Sequence, residues 1–287
     1  MKNEHPVDFF IVGFAKAGTT TLYHLLSQSR HVYFPAIKEI NFFATGLLDD
    51  AIAHYGSSIN TTNTIDKYNA LFKNALPNQI KGDASPAYIE YPEIAKRIAD
   101  YNPSAKIIIV LREPTRRAIS HYLMDRRLGF CKKSLGDIIE SADGFFYRQY
   151  IEGGHYSHRM APYFINFPKQ QIKVILLEEL VKNPEGVISD LCNFLGISYE
   201  VTMSLAHENQ NIEPRNSFLK RIYAATALRS FLKHLFPAIF VESFKKHFFT
   251  TSSLSDSKEL EQKLRAIYAP ELQNLKSLTG LDFSLWE

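Results

Sequence analysis

The sequence predicts an α/β fold: a single domain with a central parallel sheet flanked by helices and a P-loop-like nucleotide site. One observation is a set of short apolar runs, Phe9–Gly13, Lys106–Leu111 and Ile172–Leu177. Such continuous runs are typical of strands buried on both faces of a parallel sheet. The other observation is that a helix-like segment follows each run, which is the alternation expected of parallel α/β proteins.

Each of these helices has a recognisable pattern or end. Thr19 to Ser27 places leucines at helical spacing, and a second helix is predicted from Thr115 to Arg127. The third helix runs from Pro184 to Leu195 and stops at Gly196, because glycine readily takes the left-handed conformation of a C-terminal cap. Gln79–Gly82 is expected to be the end of a further strand.

Three segments lie outside this alternation. Ala44 to Asn78 is polar and mostly helical in pattern, which predicts a lid or insertion. Phe218 to Phe249 mixes aromatic and basic residues, which favours irregular amphipathic helices that either cap the core or contact a membrane surface. A last helix is predicted from Asp256 to Thr279, ending at Gly280. Without an internal repeat or linker, we expect one domain over 1–287 with a helical C-terminal region at about 218–287.

Composition excludes some classes of protein. The 33 Lys+Arg and 30 Asp+Glu residues give a net charge of only +3, too balanced for a general nucleic-acid binder. Cys131 and Cys192 are the only cysteines, which argues against a disulfide scaffold and favours a reducing compartment. The polar start does not resemble a signal peptide, and no run of about 18 apolar residues occurs. We therefore expect a cytoplasmic protein without a transmembrane segment.

A glycine-bearing loop, Gly13–Thr21, connects the first predicted strand to the first predicted helix. Unpaired amides and the helix dipole make such a place a ready anion site. A nucleotide-triphosphate loop would read G-x-x-x-x-G-K-[ST], but here Thr19 stands in the lysine position and Lys16 comes earlier. A kinase with an aberrant loop is therefore the alternative interpretation and not the favoured one.

A second anion-binding pattern follows the strand Lys106–Leu111. Arg112 stands directly after this strand, at the edge where ligands bind in open α/β sheets. Its planar fork suits a phosphate monoester, and Ser120, two turns into the next helix, offers a hydroxyl to the same group.

Together the two patterns resemble those of sulfotransferases that use 3′-phosphoadenosine-5′-phosphosulfate (PAPS). The loop resembles their K-x-G-T-T/S signature, and Arg112 with Ser120 resembles their 3′-phosphate motif. The resemblance implies that Lys16 contacts the leaving bridge oxygen, that PAPS becomes PAP, and that no metal is needed. The implied binding residues are Lys16, Ala17, Gly18, Thr19, Thr20, Thr21, Arg112, Ser120, Tyr156 and Arg215.

Further segments resemble heparan sulfate N- and 3-O-sulfotransferases and bacterial glycan sulfotransferases. Lys38–Phe43 is similar to their K-E-x-x-F-F segment, Asp83–Tyr88 to E-K-x-P-x-Y, and Gly154–Tyr156 to the start of G-x-Y-x-x-x-L. The resemblance implies Glu39 as the catalytic base. Ala84 departs from the pattern, because a lysine is expected there, and this puts the acceptor contacts of that family in doubt.

Two other residues are candidates for the proton transfer. Asp83 follows the end of a predicted strand and is expected to point toward the crevice, whereas His121 follows Ser120 on its helix. With Lys16 and Glu39 they complete the catalytic candidates. The histidines lack metal-ligand spacing, so no metal site is expected.

The resemblance favours a saccharide or glycolipid as acceptor of the sulfuryl group and a bacterial enzyme as its source. A small metabolite or carrier-bound natural product is the alternative acceptor. Besides the kinase, the alternative of another class is a catalytically silent PAP-binding protein that kept the fold.

Overall fold

The computed structural model describes residues 7–56, 62–200, 212–214, 249–251 and 257–286. Among these, five strands form one sheet in the order β2-β3-β1-β4-β5, and every pairing is parallel. The strands are β1 Phe9–Gly13, β2 Val32–Tyr33, β3 Ile80–Ala84, β4 Lys106–Leu111 and β5 Ile172–Leu176. A separate antiparallel pair joins β6 Ile212–Pro214 to β7 Phe249–Thr251.

Helices connect and cover the strands. They are α1 Thr19–Leu26, α2 Asp49–Tyr55, α3 Ile65–Ala70, α4 Pro92–Tyr101, α5 Pro114–Leu128, α6 Leu135–Ser141, α7 Phe145–Tyr150, α8 Tyr156–Asn166, α9 Leu177–Lys182, α10 Pro184–Leu195 and α11 Ser257–Thr279.

The sheet separates two apolar layers, because successive side chains of a strand point to opposite faces. Phe10 and Val12 of β1 lie in the layer that includes residues of α4 and α8. Phe9 and Ile11 lie in the layer that includes residues of α1 and α10. Both faces are therefore covered, and the predicted α/β class with a central parallel sheet is confirmed.

The predicted element boundaries needed small corrections. Glu113 caps α5 by accepting hydrogen bonds from the amides of Thr115 and Arg116, so the helix begins at Pro114. The third apolar run ends as a strand at Leu176, because Leu177 begins α9.

The structure agrees to different degrees with the predictions for the three segments outside the strand–helix alternation. The stretch from Ala44 to Asn78 contains only the short α-helices α2 and α3 among its described residues, so the helical pattern is found in part, and its role as a lid stays a prediction. Most of the segment from 218 to 249 lies outside the described residues, but Phe249 begins a strand and not a helix. The last helix ends at Thr279 as predicted, with Gly280 in the left-handed region at φ 73°.

Residues near the carboxyl end return to the sheet edge where β4 ends. The indole Nε1 of Trp286 donates to Glu178 Oε2 at 2.9 Å, and Glu178 Oε1 accepts the amide of Glu113 at 3.0 Å. Trp286 thereby joins the turn that carries Arg112.

Candidate active site

The loop between β1 and α1 depends on a glycine at its helix end. Gly18 is the N-cap of α1 with φ 102°, a conformation that side chains with a Cβ rarely adopt. A Cβ at this position would lie 2.6 Å from Leu177 Cδ1. The glycine therefore permits both the turn and the close approach of α9.

The amino end of α1 is suited to an anion. The first-turn amides of a helix have no partner within it, and the helix dipole adds partial positive charge there. The first turn holds Thr19, Thr20 and Thr21 and no acidic residue. Amides and hydroxyls are therefore presented together, as the sequence predicts for a phosphate loop.

Lys16 occupies the middle of this loop in a left-handed conformation, with φ 65°. Its ammonium Nζ lies 3.4 Å from the sulfur of Met124 on α5. Burial, followed by repulsion from Arg127 and Arg112, lowers the pKa of Lys16 from 10.5 to about 8, while Asp125 opposes that change. The ammonium is thus a partly desolvated cation surrounded by other cations.

Arg112 binds directly to the same loop. Its Nη1 donates to the carbonyl of Lys16 at 3.3 Å, and its own carbonyl accepts the hydroxyl of Tyr156 at 2.9 Å. Burial lowers the pKa of Arg112, but a guanidinium stays charged in any case. The loop lysine and the arginine after β4 therefore form one basic site.

The other residues predicted to bind the nucleotide have different positions relative to this basic site. Tyr156 is fully buried, and its ring centroid lies 4.4 Å from that of Phe14. Its hydroxyl therefore holds the backbone carbonyl of Arg112 from a fixed position. Ser120 lies on α5 and is 7% exposed, and Ala17 is buried in the loop. Arg215 lies outside the described residues.

Glu39 lies in a loop fixed to the end of β3. Its amide donates to the carbonyl of Ala84 at 3.2 Å, and its φ is 60°. Lys38 Nζ donates both to Glu39 Oε1 at 2.8 Å and to Thr20 Oγ1 at 3.1 Å. Since the Glu39 side chain is 50% exposed, its carboxylate is both accessible and next to the phosphate loop.

Asp83 does not point to the crevice as expected. It lies inside β3, is fully buried, and accepts hydrogen bonds from the hydroxyls of Tyr68, Tyr88 and Ser85 at 2.9, 2.8 and 2.7 Å. Burial raises its pKa, and these three bonds oppose the rise. The reason for the difference is that β3 continues to Ala84, so Asp83 is a strand residue facing the core.

His121 is also buried, with 4% exposure. Burial, then Arg117 and Lys16, hold its pKa well below 6.5, so the ring is neutral near pH 7. Its ring packs edge-on against Tyr150 at 5.1 Å.

Sequence reasoning missed two charged neighbours of the loop. The K-E-x-x-F-F resemblance gives Lys38 no role of its own, yet it joins Glu39 to Thr20. No motif includes Asp125, although it is four residues after His121 on the same helix. That helical spacing was the available signal.

The described ranges contain no group of three or more His, Cys, Asp or Glu side chains arranged to hold a metal ion. Within the same part of the chain, no helix has the length and apolarity to cross a bilayer.

The parallel sheet, with a glycine-bearing loop between its first strand and first helix, defines an α/β protein with a P-loop-like turn at the amino end of α1. The sulfotransferase domain family matches residues 6–248. The chain belongs to this family.

Relatives and solved structures agree with this assignment. A sulfotransferase structure from Alicyclobacillus acidocaldarius is 28% identical, with a TM-score of 0.70 over 99% of both chains. Bifunctional heparan sulfate N-deacetylase/N-sulfotransferase 1 of Caenorhabditis briggsae is 28% identical over 208 residues, 66% of this chain and 22% of that protein. Mouse sulfotransferase SULT7A1, solved in complex with PAP, has a TM-score of 0.51 at 14% identity over 93% of this chain and 84% of its own, which shows the fold alone.

Heparan sulfate glucosamine 3-O-sulfotransferases are also among the curated relatives. The chain spans 22% of the length of the N-deacetylase/N-sulfotransferase and at most 40% of the length of these 3-O-sulfotransferases.

Proposed function

We propose that this protein is a sulfotransferase that moves a sulfuryl group from PAPS to a hydroxyl or amine of an acceptor. The observation that carries the proposal is the bond between Arg112 and the carbonyl of Lys16 at the amino end of α1. It gathers two cations and the first-turn amides of a helix into one site for a doubly phosphorylated ligand. Mouse SULT7A1, which shares the fold, was solved in complex with PAP, and PAP is therefore the ligand to test first.

Different residues of the site are proposed to bind the two phosphates of PAPS. Amides and hydroxyls of Thr19, Thr20 and Thr21 suit the 5′-phosphate, and Arg112 with Ser120 suits the 3′-phosphate. PAPS supplies the sulfuryl group, whose bond to the 5′-phosphate oxygen breaks as the acceptor oxygen or nitrogen bonds to sulfur. The ammonium of Lys16 stabilises the negative charge left on that phosphate.

Glu39 is the residue that we assign as base. It receives the proton of the attacking hydroxyl or amine, and Lys38 holds its carboxylate beside Thr20. Its exposure favours it over Asp83, whose carboxylate oxygens both accept bonds in the core, and over His121, which is buried and weakly basic.

For the acceptor we propose a saccharide or glycolipid, because the curated relatives include heparan sulfate sulfotransferases. We also propose that the chain forms one sulfotransferase domain over 1–287. The free, buried Cys131 and Cys192 support a reducing, cytoplasmic compartment.

The test combines nucleotide titration with transfer. Calorimetry should show that PAP binds and ATP does not compete, and Arg112→Ala should weaken PAP binding by roughly 2–4 kcal/mol because a charged phosphate contact is lost. Arg30→Ala is the matched control, since Arg30 is 79% exposed and pairs with Glu200. Labelled PAPS is then offered with saccharide, lipid and phenol acceptors. Unchanged PAP affinity in the Arg112 variant, or ATP binding in preference to PAP, would refute the proposal.

A further inference from the structure

Helix α5 carries several buried polar atoms that have no hydrogen-bond partner among the described residues. They are Thr115 Oγ1, Arg117 Nε, His121 Nδ1, Asp125 Oδ1 and Arg127 Nε. Buried polar groups are normally paired, so a group of unpaired ones on a single helix requires a reason. Asp125 is the acidic member of this group.

The surroundings of Asp125 fix the orientation of its carboxylate. The residue is fully buried, and its Oδ2 accepts the hydroxyls of Tyr55 on α2 at 2.8 Å and of Tyr150 on α7 at 2.7 Å. Burial raises the pKa of both phenols, so they remain protonated donors. With Oδ2 occupied twice, Oδ1 is the oxygen left for another group.

Two of the cations around the phosphate loop have an acidic group that acts on them. Lys38 pairs with Glu39 at 2.8 Å, and Glu178 is the acidic group that acts most strongly on Arg112. Lys16 contacts Met124, the neighbour of Asp125 along α5, and Asp125 is the anion that acts on it.

The charged and titratable groups facing Lys16 come from three elements. Helix α5 contributes Asp125, Arg127 and His121. The turn after β4 contributes Arg112, and the loop that carries Glu39 contributes Lys38. Asp125 is the single negative charge among these five residues.

We propose that Asp125 is a positioning residue that acts through Lys16, with its free carboxylate oxygen serving as the counter-charge of that ammonium before the donor binds. Asp125 touches no substrate in this role. The inference rests on the proposed function, because the charge of Lys16 matters most if it neutralises the leaving phosphate. Without this carboxylate, the remaining influences on Lys16 are its burial and the like charges around it. Each of them lowers the pKa of the ammonium and favours the neutral amine.

The experiment is Asp125→Asn, which removes the charge and keeps the shape. Lysine labelled with ¹³C at Cε gives the titration of Lys16 by NMR, and Lys16→Arg identifies its signal. In the unaltered protein Lys16 should titrate near its pKa of about 8. In the variant we expect the midpoint to fall by about one pH unit, since the one opposite charge that acts on Lys16 is lost. The alkaline limb of kcat/KM for PAPS should move by the same amount, so that activity falls about tenfold above pH 9 and little at pH 6.5.

Asp83→Asn is the matched control. Asp83 is also fully buried and also accepts two tyrosine hydroxyls, but it does not act on Lys16. It should lower the melting temperature and leave the Lys16 midpoint unchanged. If Asn is not tolerated between the two phenols, Asp125→Ser removes the same charge and leaves room for a bridging water.

An unchanged Lys16 midpoint in a folded Asp125 variant would overturn the inference and leave Asp125 a structural residue. The NMR titration needs no sulfuryl transfer. A shifted midpoint in a protein that transfers nothing would therefore refute the proposed function alone.

Discussion

At the scale of single residues, solvent exposure distinguishes the carboxylate of Glu39 from the other two candidates for the base, which are buried. Its backbone has φ 60°, which is uncommon for a residue with a side chain, and hydrogen bonds to Ala84 and from Lys38 hold it there. Strained residues persist where the surroundings fix them, often at functional sites. The uncommon backbone conformation therefore fits a residue whose side-chain position matters for function.

Glu39→Gln should lower the rate of transfer by at least about 100-fold, because the amide cannot take the acceptor proton. PAP affinity should stay within roughly twofold, since the variant keeps the phosphate loop. Single-turnover transfer and calorimetry measure the two quantities. Glu93→Gln, an exposed change on α4, is the control, and substantial transfer by the Glu39 variant would move the base elsewhere.

The sequence could place Lys16 and Arg112 because each lies in a local motif next to a predicted strand end, whereas Glu39 is placed by resemblance alone. The hydrogen bonds that join Arg112 to the Lys16 loop and Glu39 to the end of β3 depend on the order of strands β3, β1 and β4, which no local pattern contains. Asp83 shows the opposite case, since two further strand residues, Asp83 itself and Ala84, turned an expected crevice carboxylate into a core one.

At the scale of elements, the turn into α1 requires glycine for two separate reasons. Gly18→Ala should destabilise the protein by about 1–3 kcal/mol, because φ is 102° and the new methyl would meet Leu177. It should also weaken PAP binding, because the amides of α1 would shift.

Gly46→Ala provides the comparison in chemical denaturation and PAP titration. Gly46 also has a positive φ, 80°, but a Cβ there meets nothing within 4 Å. Equal losses of stability and PAP affinity in the two variants would show that contact with Leu177 is unimportant.

Elements were predictable where burial made the sequence uniformly apolar, as in β1 and β4. In β3 the sequence Ile-Lys-Gly-Asp-Ala offered only a partial signal, since its polar residues are satisfied by tertiary contacts such as those of Asp83. The pair β6–β7 joins residues far apart along the chain, and a pairing of that kind leaves no local pattern.

At the scale of the whole molecule, α11 is fastened to the sheet domain through a buried carboxylate. Glu271 accepts the amide of Ser157 in the first turn of α8 and lies 3.8 Å from His155. Burial alone would raise the pKa of Glu271, but the nearby His155 ring and the hydrogen bond from Ser157 lower it below 4.5.

A lowered carboxyl pKa stabilises the folded state above the unfolded pKa and loses that effect as the pH falls through the folded pKa. Glu271→Gln should therefore cost about 1.5–3 kcal/mol at pH 7, and the difference should shrink below pH 4.5. Urea unfolding at a series of pH values measures it. A difference that is constant down to acid pH would show that the charge of Glu271 contributes nothing.

The bond between Trp286 and Glu178 has an optical consequence. Trp286 is the one tryptophan of the chain, and its indole is joined through Glu178 to the turn that carries Arg112. Indole emission depends on the local field, and the proposed binding of a phosphate to that arginine would change the field there. The protein thus carries its own fluorophore next to the turn of Arg112, and excitation at the long-wavelength edge of the indole band selects it over the 15 tyrosines.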